Sequence, residues 1–500
     1  MAFSKYTMAL LGATITIAAH PVANAYPSRV SASPTMIAQP LPNFPANSRL
    51  LAAAQSGDVA ALRAALKSGA SPDAISEFGD HAVNVAAMSG NTVAAQLLIN
   101  AGADINAVSS LGRTPLMDAA ASGNNDLLMM LLLHRASTAA YGTAHETALH
   151  LAAESGSLTE ARALLLAGAE PNAVTDQGET ALMLASRSAA WRSQSSDFAF
   201  LADRSDVNLA NRKRRTALMI AAESGAVDEV KALIMRGARA TSRDSAGRTA
   251  LLLASQSTES SIARRAPAQL VQVATANYDK RQAEIVALLA ALTPARVEKV
   301  TAMLVAAASG CPGAMRGLVE QGVPINDAAT SSFLAALSVP MIDKSVPQAA
   351  WPAGMTPLMV AAATGKGDVV KLLLSIHANA GARDAAGRTA IMYAARFGRV
   401  DIVQALIHHG VDVDAVDNDG KRPLMHVAEL GWSGMLRNGW AKSLMPAGEN
   451  PPDAIIVNLL AQARVDFTAR DLKGKTAAEI AHESGNEPIS RLIAEFSKQF

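Results

Sequence analysis

Cysteine occurs once in the 500 residues, at position 311, so no disulfide can close within the chain. Gly310-Cys311-Pro312-Gly313 supplies no histidine to activate that thiol, which reads as an inert loop residue. Aromatic residues are scarce, at 4% against 50% hydrophobic residues in all, so the apolar content is mostly Ala, Leu and Val rather than one large aromatic core. Neither sign of charge is in excess: Lys and Arg number 44, Asp and Glu 43. That balance argues against non-specific nucleic-acid binding, which depends on neutralising phosphates. No uninterrupted apolar run of about 18 residues occurs, so no membrane insertion is expected of the chain once its leader is removed.

The first 25 residues have the pattern of a secretory leader. Lys5 gives a positive start, Met8 to Ala19 is apolar, and Ala23-Asn24-Ala25 fits a small-x-small cleavage site. The expected location is therefore periplasmic or secreted. Residues 26–47 carry Pro27, Pro34, Pro40, Pro42 and Pro45 among small residues, a linker composition.

From residue 48 to 500 the chain repeats. Thr114, Thr147 and Thr180 lie 33 residues apart, as do Thr216 and Thr249, and Thr356 and Thr389. Nine residues after the threonine stands a glycine (Gly123, Gly156, Gly225, Gly310, Gly365, Gly398, Gly485), and often twelve later a second, as at Gly102, Gly168, Gly237, Gly322 and Gly410. Apolar spacings of three and four between them, as at Ala161, Leu164 and Leu165, predict two short helices per unit. Asp-x-x-Gly before the next threonine predicts a turn, here called the finger. Such a unit cannot bury its apolar side alone and must stack on copies of itself.

The 33-residue period and Thr-Pro-Leu at Thr114-Pro115-Leu116 and Thr356-Pro357-Leu358, with Thr-Ala-Leu-His ending in His150, resemble the ankyrin repeat. The resemblance implies an all-α solenoid of about twelve helix-turn-helix units with short finger turns. Three insertions of about 20 residues interrupt it, near 257–281, 329–353 and 431–453, the first placed between the two helices of unit seven. The last unit, with Glu483, Asn486, Glu487, Arg491 and Lys498, reads as a terminal cap facing water.

Catalytic patterns fail on inspection. His145-Glu146-Thr147-Ala148-Leu149-His150 resembles a zinc-protease box, but its histidines are five apart, about 140° from sharing a helix face. His150 is the histidine of the repeat. Lys473-Gly474-Lys475-Thr476 resembles the end of a phosphate loop, yet Ala469 replaces its first glycine and the segment aligns with the other fingers. His408-His409 ends a second helix, where it complements the dipole. No catalytic residue, metal site or cofactor is expected.

Binding is the remaining class. The family resemblance implies a protein partner held on a concave face of fingers and first helices. Positions exposed there would include Phe78, Leu111, Arg212, Lys213, Arg243, Asp244, Arg383, Asp384, Arg396, Phe397, Asp417 and Asn418. Cations just after the finger glycine, such as Arg248 and Arg388, either form a basic ridge or are neutralised by acids such as Glu146, Glu154, Glu179 and Glu223; neutralisation is the favoured reading. All four tryptophans, Trp191, Trp351, Trp432 and Trp440, fall in irregular segments, where they anchor a partner or staple their own loop. The expectation is a non-enzymatic, monomeric interaction scaffold whose protein partner the sequence does not identify. The alternatives are a secreted effector or toxin-neutralising protein, and a hydrolase or small-ligand binder with a pocket among the insertions.

Overall fold

The structure, a computed structural model, describes residues 44–188, 195–256, 271–328, 352–430 and 451–499. Met1–Phe44 and Pro45–Phe500 form separate units, and the expected leader lies outside the described residues. Within the second unit the described residues form 24 helices in twelve consecutive pairs, with isolated β-bridges and no strands. The first four pairs are α1 Phe44–Ser56 with α2 Val59–Lys67, α3 Ala82–Met88 with α4 Thr92–Asn100, α5 Pro115–Ser122 with α6 Asn125–Leu133, and α7 Ala148–Ser155 with α8 Leu158–Leu166. The middle four are α9 Ala181–Arg187 with α10 Ser195–Ala202, α11 Ala217–Ser224 with α12 Val227–Met235, α13 Ala250–Ser255 with α14 Val271–Leu292, and α15 Arg296–Ser309 with α16 Pro312–Glu320. The last four are α17 Pro357–Thr364 with α18 Gly367–Ser375, α19 Ala390–Arg396 with α20 Val400–His408, α21 Pro423–Leu430 with α22 Pro452–Gln462, and α23 Ala477–Glu483 with α24 Glu487–Gln499. First helices stack on first helices from α3 to α23, and second helices on second helices from α2 to α24. The all-α solenoid of about twelve units is therefore the observed fold.

Local chemistry starts and stops each pair. Thr114, Thr180, Thr216, Thr249, Thr356 and Thr476 cap first helices, their hydroxyls accepting the N–H three residues on. His150 Nδ1 accepts the Thr147 N–H at 3.1 Å, while Nε2 lies 3.1 Å from the Glu179 carbonyl of the next unit. Where methionine replaces that histidine, Sδ of Met117, Met359 or Met392 stands 3.4, 3.5 or 3.4 Å from the same threonine N–H. The cap survives as a weaker bond, and the link to the next unit is lost. The period-matching stop glycines take positive φ; where the second is missing, Arg135 (62°), His377 (63°) and Arg464 (61°) are held left-handed instead.

Register between units is carried by a ladder of side-chain acceptors. Asn47 accepts the Ser71 N–H, Asp73 that of Asp104, Asn106 that of Ser137, Asn172 that of Asp206 and Asn208 that of Arg239, at 2.7–2.9 Å. Asn326 accepts from Asn379 at 2.8 Å and Asp414 from Asp466 at 3.2 Å. The last two rungs bridge the second and third insertions, so the spacing of the stack is kept across them.

The structure corrects three expectations. Residues 271–281, expected within an insertion between the helices of unit seven, are the first half of the 22-residue α14 itself. Only Thr293–Ala295 separate α14 from α15, so the eighth unit has no finger and begins directly as helix. Asn486, expected at the wet cap, is buried, with its amide 3.3 Å from Asp453 Oδ2; Glu487, Arg491 and Lys498 are exposed as expected. Cys311 is buried as the N-terminal residue before α16.

Helix α14 lies unusually close to α16. A Cβ at Gly313 would overlap the Asp279 carbonyl, and one at Gly317 the Ala283 carbonyl, so two glycines four apart let the backbones meet. Gly317→Ala is expected to cost about 1–3 kcal/mol through that overlap. His377→Gly should gain about 0.5–1 kcal/mol by relieving the left-handed backbone. Thermal unfolding by circular dichroism should move in opposite directions for the two variants; an unchanged midpoint for Gly317→Ala would refute the close approach.

Candidate protein-binding surface

Residues just before the capping threonine and seven after it project beside one another along the finger side of the first helices. Arg187 reaches Glu179 at 2.5 Å and Arg215 reaches Glu223 at 2.6 Å; Lys421 reaches Glu429 at 2.9 Å, and Lys475 pairs with Glu483. Arg113 lies 4.0 Å from Glu146 of the next unit. The tenth unit has two cations at these positions, Arg388 and Arg396, and borrows acids from the eleventh: Asp417 at 3.9 Å and Glu429 at 3.4 Å. The neutralised arrangement thus describes most of these cations, and no continuous basic ridge forms among them. Arg212 and Lys213 remain exposed at a finger tip, beside Arg214, which occupies the finger-glycine position with φ 57°.

Several positions expected to be exposed are not. Phe397 is only 4% exposed and belongs to the hydrophobic core; α19 ends at Arg396, and burial of the ring outweighs its display. Asp244, Asp384 and Asp417 are buried because each carboxylate accepts two backbone N–H groups of its own finger at 2.8–2.9 Å. They hold the turn, leaving little for a partner. Arg248 is tied to Asp244 Oδ2 at 2.8 Å. Phe78 (71% exposed), Leu111 (45%), Arg243, Arg383 and Asn418 are exposed as expected. Trp191, Trp351, Trp432 and Trp440 lie outside the described residues.

The motifs set aside in the sequence resolve as repeat parts. His145 sits in a finger, 3.0 Å from Asp176 and stacked on Tyr141, whereas His150 is buried inside α7. Lys473 and Lys475 donate their backbone N–H groups to Asp471, as in every aspartate finger. Among the described residues no group of three or more His, Cys, Asp or Glu could hold a metal, and no helix is long and apolar enough to cross a membrane.

Family models of ankyrin repeats in three copies match residues 50–141, 188–265, 333–417 and 358–438, and one of ankyrin repeats in many copies matches 149–194. These spans cover more than half of the sequence. The chain belongs to the ankyrin-repeat family. No curated protein matches it. As an ankyrin-repeat protein it has the architecture of an interaction scaffold, with protein partners implied.

Three departures from the ankyrin pattern, Asp118, Tyr393 and His426, lie one position after the usual histidine. In the tenth and eleventh units Tyr393 and His426 replace apolar residues: Tyr393 Oη donates to Asp384 Oδ2 at 2.5 Å, and His426 Nε2 lies 2.9 Å from Asp417 Oδ2. Burial holds the His426 ring below the usual histidine range despite that carboxylate, so the imidazole stays neutral. In the third unit Asp118 is 7% exposed, and its Oδ2 has no hydrogen-bond partner. Loss of hydration raises its pKa to about 7, opposed by Arg113 and reinforced by Asp80. Sequence reading passed over these positions because they lie outside the repeat's own consensus.

The folded state binds the Asp118 proton more tightly than the unfolded chain, so it contributes stability below pH ~4 that is lost as the pH rises through about 7. Asp118→Asn should remove that loss. Wild type is expected to fall by roughly 2–4 kcal/mol more than the variant between pH 4 and pH 8.5, read from urea unfolding at both. Parallel pH dependences would show that Asp118 titrates normally.

Proposed function

We infer that this protein is an exported, non-enzymatic scaffold that grips a protein partner through its fingers and first helices. Export is supported by the leader pattern at Lys5, Met8–Ala19 and Ala23-Asn24-Ala25. The observation that carries the scaffold reading is the exposed finger row set on a stack whose register is fixed by side-chain hydrogen bonds between adjacent units. A surface ordered before the partner arrives loses little conformational entropy on binding, so modest contacts give useful affinity. An effector or toxin-neutralising protein would use the same surface on a foreign partner.

Two measurements test this reading. The protein recovered from cell fractions of its own source should start at Tyr26 and lie outside the cytoplasm; an intact Met1 in the cytoplasm would end the export claim. Mature protein on a column should retain a partner from the exported fraction, identified by mass spectrometry. Arg212→Ala with Lys213→Ala, and Trp351→Ala with Trp432→Ala, should each weaken retention by about tenfold if those residues anchor it. Retention of nothing by wild type would refute the scaffold reading.

A further inference from the structure

We propose that the finger edge of the first five ankyrin repeats docks a basic amphipathic helix of the partner, a reading that rests on the scaffold function above. Ile75, Val108, Tyr141 and Val174 occupy the same finger position, 33 residues apart, and are 57%, 55%, 64% and 50% exposed. Phe78 and Leu111 extend the row sideways on the first two fingers. At the same position the later described fingers carry Ala210, Arg243, Arg383, Val416 and Arg470, so an unbroken row of large apolar residues occurs only on the first four fingers. A row of exposed apolar side chains on successive fingers is the composition of a contact surface.

The fingers ride on helices packed about 8–10 Å apart. Seven residues of α-helix rise about 10.5 Å, so one apolar side chain per heptad meets one finger, and four fingers take about 20 residues. Main-chain pairing is poorly available to a partner strand, because the fingers already bond one another: Ser110 N–H to Asp80 Oδ1 at 2.7 Å, Asp176 N–H to the Ala144 carbonyl at 2.9 Å. An extended or polyproline segment would need side-chain donors for its carbonyls, and in this row only Tyr141 has one. A helix satisfies its own backbone.

Charge selects the sign of the partner. Glu77 and Glu154 are exposed with no Lys or Arg partner among the described residues, and Asp176 has only His145. Cations flanking the apolar stripe of the helix would meet these carboxylates. In the C-terminal half Asp417 and Glu429 are already paired with Arg388, Arg396 and Lys421.

The test is fluorescence anisotropy with the full mature chain and three labelled peptides of about 20 residues. One has Leu at heptad positions and Lys on the flanks, the second has Glu in place of Lys, and the third is proline-rich with the same net charge as the first. Expected are saturable binding of the basic helix, at least tenfold weaker binding of the other two, and further weakening at high salt. Val108→Asp with Tyr141→Asp should reduce binding of the basic helix at least tenfold while leaving the circular dichroism and melting midpoint unchanged, since both side chains are exposed. Equal or tighter binding of the acidic or proline-rich peptide, no binding of the basic one, or indifference to the double substitution would each overturn the proposal. If a natural partner is nevertheless retained on the column, only the helix-docking claim falls; if none is, the scaffold reading falls with it.

Discussion

Each helix pair in this chain leaves one apolar side uncovered, and only the next pair can cover it. Alanines such as Ala152, Ala153, Ala221, Ala222, Ala361 and Ala362 are fully buried or nearly so, with no side chain bulky enough to hold neighbouring first helices apart. The stack therefore propagates by contact between neighbours, and its stability is close to a sum of adjacent interfaces. Apolar contact alone would leave the pairs free to slide. Directionality comes from the Asn and Asp acceptors that take a backbone N–H from the following unit, one rung per step where they occur.

That design explains how the chain tolerates interruption. The rung from Asn326 to Asn379 spans 53 residues of sequence and that from Asp414 to Asp466 spans 52, yet each joins adjacent units. The first interruption is handled differently, by a longer helix. Gly313 and Gly317 bring α16 against the backbone of α14, an approach that larger residues would forbid. The cost is the finger of the eighth unit, which is absent, so the finger edge is broken between the two halves.

The halves then differ in what they leave for a partner. In the tenth and eleventh units buried Tyr393 and His426 draw finger carboxylates inward, and the surrounding arginines and lysine are consumed by internal pairs. In the first five units the fingers keep apolar side chains exposed, and Glu77 and Glu154 have no Lys or Arg partner among the described residues. Such internal pairing is worth little stability where exposed, but it sets which groups remain available.

Much of this was legible in the sequence, since helix starts, stops and turns are written in nearest-neighbour chemistry. The 33-residue period, the capping threonines and the left-handed glycines identified the fold and the approximate unit count. The apolar row from Ile75 to Val174 is visible at the same period, but its exposure is not, because neighbouring apolar residues of the fingers such as Ala107 are buried against the stack. Other features needed the tertiary structure: the burial of Phe397, Asp384 and Asp417, the pairing of Arg388 and Arg396 with acids of the next unit, and the perturbed Asp118. Whether a residue is displayed or consumed depends on what the adjacent repeat places opposite it, and that distance is not encoded in any one repeat.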